Sequence, residues 1–268
     1  MFDGVMGLQK IVVVVLLLTS LLIGGCQNKE EHLKVAVVPG LQADIMKEVK
    51  KSAARDGLDI EIIMCSDYME PNDLLNKNEV DANSYQPEQF LDWQLMDRGY
   101  DFAILAKTVL LPLRMYSHKI GALAELPKGA SVVIPADAIN ASRAIKLLAQ
   151  SGLIVLRDSQ ASEVSLTEIV QNPLELKIEK VDALSMGAFC EQADLLVMGT
   201  SIAEENGFVS PHDIMYEEGT DSPYIDVIAV RSADVNKKAM QKLVKAYQSV
   251  QVKEFIEKEF GGKVVATW

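Results

Sequence analysis

TVLLPLRMYS, Thr108 to Ser117, is an extended apolar run broken by Pro112. Proline within a sheet is confined to edges, strand starts and bulges, so the run reads as a crossing between two lobes. A second run, SPYIDVIAV, Ser222 to Val230, is opened by Pro223 and reads the same way. Two crossings divide the chain into a discontinuous first lobe, residues 33–110 plus 228–268, and an inserted second lobe, residues 113–224. The cleft between two such lobes is where small ligands usually bind.

On either side of the crossings, strand-like and helical periods alternate. LKVAVV (Leu33–Val38) is a short apolar strand, and LDIEIIM (Leu58–Met64) alternates as a second. Between them Ile45, Met46, Val49 and Ala53 mark one face of a helix from about Ala43 to Arg55, stopping at Gly57. Helices are expected over Glu88–Arg98 and Ala141–Gln150, and strands over Phe102–Leu105, Ser131–Ile134, Leu176–Val181 and Ala193–Met198. Met240, Leu243, Val244 and Tyr247 predict one long closing helix. This alternation implies an α/β fold with largely parallel sheets.

The N-terminus carries a different signal. Ile11–Ile23 is thirteen residues of almost pure Val, Leu and Ile, short of the roughly 20 needed to cross a bilayer. It reads as the apolar region of a signal peptide, residues 1–25. Ile-Gly-Gly-Cys resembles the lipobox at which bacterial lipoproteins are cleaved and acylated, which would make Cys26 the first mature residue. An ordinary secretory signal with an incidental cysteine is the alternative. Acyl chains contribute about 0.8 kcal/mol per buried CH₂, so they would hold a soluble domain at a membrane surface. Residues 26–32 would then be a polar tether.

Composition narrows the functional classes. The formal net charge is -12, and the signal segment holds only Asp3 and Lys10, so the mature chain is equally acidic. That argues against a nucleic-acid partner or a polybasic grip on anionic lipid. Beyond Cys26, Cys65 and Cys190 lie far apart and establish no disulfide framework. The three histidines, His32, His118 and His212, are isolated, and no zinc spacing, nucleophile elbow or phosphate-binding loop occurs. No metal, cofactor or catalytic residue is expected, although Asp and Glu pairs could meet in space.

Binding signatures are better developed. In PADAINASRAIKLL, Asn140 and Arg143 stand three apart at the start of a helix that follows the strand SVVI. A helix N-terminus favours an anion, and Arg143 could clamp a carboxylate there. Alternatively Asn140 is an N-cap and Arg143 a solvated surface residue. In DYMEPN and DANSYQPEQF, Tyr68, Tyr85 and Phe90 could wall an apolar pocket while their polar edges stay wet. They could equally be core residues under loops.

The segments DYMEPNDLLNKNEVDANSYQ, FLDWQLMDRGY, SPYIDVI and AYQSVQV, with the terminal GGKVVATW, resemble the NlpA/MetQ family of lipoproteins over essentially the whole mature chain. That resemblance implies a periplasmic-binding-protein-like pair of α/β lobes joined by crossing strands. It implies a receptor, not an enzyme, that is lipid-anchored on the extracytoplasmic face and hands methionine or a related amino acid to an ABC permease.

It also implies site residues. Tyr68, Tyr85 and Phe90 match the family's aromatic positions, and Asn140 with Arg143 matches its carboxylate-binding N-x-x-R. Three positions depart from the pattern. Pro87 replaces a histidine, while Gly199 and Asp226 each replace an asparagine at the ligand's polar end. Asp226 could meet an α-ammonium, and Gly199 opens volume, which suits an amino acid held differently, or a short peptide or derivative; a still methionine-selective site and a surface lipoprotein with no transport role are the alternatives. Asp226 facing solvent or a lysine is the alternative.

Overall fold

The computed structural model describes residues 31–268. Cys26 and the signal segment lie outside the described residues. Glu31 and His32, expected at the end of the tether, instead begin strand β1 (Glu31–Val37).

The first half of the chain continues with α1 (Leu41–Ala54), β2 (Leu58–Met64), α2 (Glu70–Asn76), β3 (Ala82–Pro87), α3 (Glu88–Arg98) and β4 (Phe102–Leu110). There follow β5 (Leu113–Tyr116), β6 (Ser131–Pro135), α4 (Ala138–Gln150), β7 (Val155–Leu156), β8 (Ile169–Gln171) and β9 (Lys177–Val181). Then come β10 (Leu195–Gly199), α5 (Thr200–Glu205), β11 (Ile214–Glu217) and β12 (Ile225–Arg231). The chain closes with α6 (Lys238–Tyr247), α7 (Val250–Phe260) and β13 (Val265–Ala266).

Two larger sheets organise these elements. One has the order β13-β4-β12-β3-β1-β2 and the other β11-β5-β10-β6-β9, with β7 and β8 forming a small hairpin. The first is built from chain before Leu111 and after Tyr224, the second from the segment between. Only Leu111 and Pro112 separate β4 from β5, so the proline falls in the short link and not in either ladder.

The sheets are mixed, not largely parallel. β3 pairs parallel with β1, and β6 parallel with β9 and β10. β12 runs antiparallel to both β3 and β4, and β5 antiparallel to β10 and β11. The reason is topological. The strand leaving the first sheet, β4, lies beside the strand returning to it, β12, and a departure and a return run in opposite directions.

Packing follows the apolar periods. Ile45, Met46, Val49 and Ala53 of α1 are buried in one core with Met240, Leu243 and Tyr247 of α6, against Val35 and Val37 of β1. A second core gathers Val132 and Ile134 of β6, Ala144, Ile145 and Leu148 of α4, and Leu195 and Val197 of β10. The expected single closing helix is two: the Ser249 hydroxyl accepts from the Val252 N–H at 3.3 Å and caps a new helix, α7. Cys65 and Cys190 are both free and buried.

Candidate functional site

Where the chain crosses between the sheets, their ends face a cavity of about 170 Å³. Residues 32–268 form one compact unit, and the cavity lies wholly within it. Strand register sets its polar end. Asp226 pairs opposite Pro87 at the start of β12, and Gly199 opposite Leu113 at the end of β10. All four residues line the cavity, together with Tyr68, Tyr85, Phe90, Asn140 and Arg143. The structure therefore brings together every ligand-site residue expected from the sequence.

The aromatic wall is held by a buried amide cluster. Asn72 and Gln86 exchange reciprocal amide hydrogen bonds at 2.9 Å, and Asn72 also donates to Gln94 at 3.1 Å and accepts from Asn83 at 2.8 Å. All four side chains are buried, so each satisfied bond counts against a large desolvation cost. This cluster ties the start of α2, within DYMEPN, to β3 and α3, and the Tyr85 hydroxyl donates to the Tyr68 carbonyl at 2.8 Å. Ring centroids of Tyr68, Tyr85 and Phe90 then stand 6.2–6.5 Å apart, within the range of favourable edge contacts. Burial pushes both tyrosine hydroxyls above their ordinary titration range, so they stay neutral donors.

Helix α4 starts earlier than expected. Asp137, not Asn140, is its N-cap: it accepts from the Asn140 backbone N–H at 2.8 Å and from the Asn140 amide at 3.1 Å. Asn140 is thus oriented by the cap instead of providing it. Burial raises the Asp137 carboxyl above the usual range, with the Asn140 bonds opposing that.

Arg143 is buried, with 7% of its surface exposed, not solvated. Its Nε donates to both carboxylate oxygens of Glu218 at 3.0 and 3.1 Å. Nη2 donates to Glu218 as well and to the Leu111 carbonyl at 2.9 Å, and the guanidinium carbon lies 4.6 Å from the Tyr224 ring centroid. Among the described residues Nη1 makes no hydrogen bond, which leaves one edge of the fork unused.

Asp226 is buried as well, facing neither solvent nor a lysine. Its side-chain partner is the Gln42 amide at 3.5 Å, a long and weak bond. Burial pushes its carboxyl up to about 7, while Arg143 and then Gln42 pull the other way. Gly199 stands before α5 with a β-region backbone, and a Cβ built on it would meet nothing within 4 Å.

Sequence reasoning misses Gln42, Glu218 and Tyr224. Glu218 and Tyr224 flank the second proline crossing, and that proximity is the only signal they carry.

The two halves of the chain also touch directly, once at the cavity, where Ser201 lines it, and once away from it. The Leu41 N–H donates to the Ser201 hydroxyl at 3.1 Å, and Gln89 donates to the Pro223 carbonyl at 3.1 Å. Gly40 has φ of 92°, and a Cβ there would lie 2.5 Å from the Ser201 Cβ. Gly40→Ala should therefore lower stability by about 1–3 kcal/mol and speed ligand loss by wedging the rim. An unchanged denaturation midpoint and dissociation rate would show that the rim contact is dispensable.

Known proteins place this arrangement. The D-methionine-binding lipoprotein MetQ of Salmonella typhi is 36% identical over 258 residues, covering 94% of this chain and 95% of that protein. The protein of that name from Escherichia coli K12 is 36% identical over 259 residues, again covering 94% and 95%. The structure of a nutrient binding protein from Burkholderia cenocepacia bound to methionine superposes with a TM-score of 0.85 at 36% identity, covering 88% of this chain and all of that one. A family model described as NlpA lipoprotein matches residues 33–268, and the chain belongs to the NlpA lipoprotein family.

Proposed function

We propose that this protein is a lipid-anchored receptor that captures methionine or a related α-amino compound and delivers it to an ABC importer. One observation carries the reading: a single cavity gathers Arg143, Asp226 and the aromatics Tyr68, Tyr85 and Phe90, groups whose chemistry suits a carboxyl end, an amine and an apolar side chain respectively. Membership of a lipoprotein family whose relatives are named for D-methionine binding supports it. Binding rather than catalysis fits the groups present. The Cys65 thiol is pushed up to about 12 by burial, then by Glu70 and Asp67, which makes it a poor nucleophile.

Anchoring would run through Cys26, on the extracytoplasmic face. Among the described residues no helix is long and apolar enough to cross a membrane. Cys26→Ala should abolish metabolic labelling with a fatty acid and leave ligand affinity in vitro unchanged; a mutant that still takes up label would contradict the anchor.

Calorimetric titration with L- and D-methionine, other amino acids and N-acetylmethionine tests the ligand class. At least one free amino acid should bind in a 1:1 ratio, with N-acetylation abolishing or strongly weakening binding. Deleting the cognate permease should then abolish uptake of that ligand, and unaffected uptake would refute the transport role.

A further inference from the structure

The charges around the cavity do not balance for a zwitterion. Arg143 is the one cation lining it among the described residues, and Glu218 already neutralises Arg143 through three hydrogen bonds. The remaining lining charges are acids: Asp226, buried within, and Glu205, exposed at the mouth. Asp137, capping α4, and Asp182, capping the short helical stretch Ala183–Phe189, add to the negative field felt by Tyr68.

Behind the lining Thr200, buried Arg114 is paired with Glu217 as Arg143 is with Glu218, so with Asp226 ionised the groups in and behind the cavity carry one net negative charge. A ligand ammonium cancels it. The carboxylate of a free amino acid then restores it, beside a Glu218 carboxylate that is already seated on the same guanidinium. A buried charge without a counter-charge is costly, so the free acid binds only by keeping a proton on one of the carboxyl groups. An uncharged carbonyl meets no such conflict, because it can accept from the unused Nη1 of Arg143 without repulsion from Glu218.

Space points the same way. The position of Gly199, at the polar end of the cavity, leaves room where a side chain would stand, since a Cβ there meets no atom within 4 Å. A substituent on the ligand's carboxyl carbon has somewhere to go.

We propose that the preferred ligands are α-amino compounds whose carboxyl end is uncharged, namely amides, esters or the N-terminal residue of a peptide, with a free amine on Asp226. The proposal rests on the amino-acid reading of the cavity and specifies the substrate class within it.

The test is calorimetry at pH 7 with both enantiomers of methionine and of methioninamide, on the full chain and on Asp226→Asn. For the tighter enantiomer, the amide should bind roughly tenfold or more tightly than the acid. Asp226→Asn should erase or reverse that ratio by weakening the amide and sparing or strengthening the acid, whereas a merely structural role would shift both equally. Wild type alone decides if the variant fails to fold. Acid binding as tightly as amide, or an unchanged ratio in Asp226→Asn, overturns the proposal and leaves the amino-acid reading standing. No binding by any of the four compounds overturns both.

Discussion

Arg143→Ala should cost about 3–5 kcal/mol of stability and weaken ligand binding by ~30-fold or more. The first effect arises because Glu218, whose side chain is only 10% exposed, loses its counter-charge and cannot reach bulk water. The second follows because losing one partner of a buried, hydrogen-bonded charged contact typically costs about 2–5 kcal/mol, at about 1.4 kcal/mol per tenfold. The two effects separate in a double variant. Adding Glu218→Gln to Arg143→Ala should restore much of the urea midpoint, since no buried charge is then stranded, yet leave affinity low. An Arg143→Ala protein that binds its best ligand as well as wild type would remove the carboxyl-end assignment of this residue.

Asp226→Asn should stabilise the empty protein at pH 8 by on the order of a few kcal/mol, and hardly at all near pH 4. The folded carboxyl titrates at about 7, well above the ordinary carboxylate value of 3.8. Above the unfolded value the unfolded chain gives up its proton while the folded one holds it, so the unfolded state binds fewer protons and stability falls as pH rises. The penalty is absent below about 4 and complete above about 7, at ~1.4 kcal/mol for each unit of displacement. Asparagine removes the charge and so removes the penalty. Wild-type affinity for a free amine with an uncharged carboxyl end, such as methioninamide, should move oppositely, rising from pH 5 to 8 as Asp226 ionises, and this rise should vanish in Asp226→Asn. Denaturation midpoints at pH 4 and 8 that change equally on substitution would place Asp226 in an exposed or already paired state.

Such a site stores instability in the empty protein and releases it on binding. Asp226 sits near the start of β12 in the first sheet, and Arg143 in the first half of α4, a helix that packs against β6 of the second. A ligand that satisfies both links the two halves of the chain through itself, beside the contact already made at Ser201.

Much of this fold is legible in the sequence because single-strand and single-helix signals are local. LDIEIIM alternates and forms β2 over the same residues; EQFLDWQLMDR, bounded by Pro87 and Gly99, forms α3 as expected. The prolines at 112 and 223 mark the two links for the same reason, since neither could stay in a ladder. Strand direction is not legible in this way. Nothing in SPYIDVIAV says that it runs against β3 and β4, because that depends on partners more than 100 residues away in β4.

At the site the division is similar. Tyr68, Tyr85, Phe90, Asn140 and Arg143 carry motif signals, and the departures at Pro87, Gly199 and Asp226 stand out against them. Glu218 does not, because an acidic residue in so acidic a chain looks like surface. Only its position 75 residues from Arg143, brought to hydrogen-bonding distance by the β5–β11 pairing, reveals its part. The role of Asn72 as hub of four buried amides is hidden likewise. Each amide is an ordinary polar residue until α2 and α3 pack beside β3.

The measurement closest to the centre of all this is a crystal structure of the protein grown with the tighter enantiomer of methionine. The α-amine should lie about 3 Å from the Asp226 carboxyl, the carboxyl end at Nη1 of Arg143, and the thioether among Tyr68, Tyr85 and Phe90. A ligand outside this cavity, or one turned so that its amine lies away from Asp226, would contradict it.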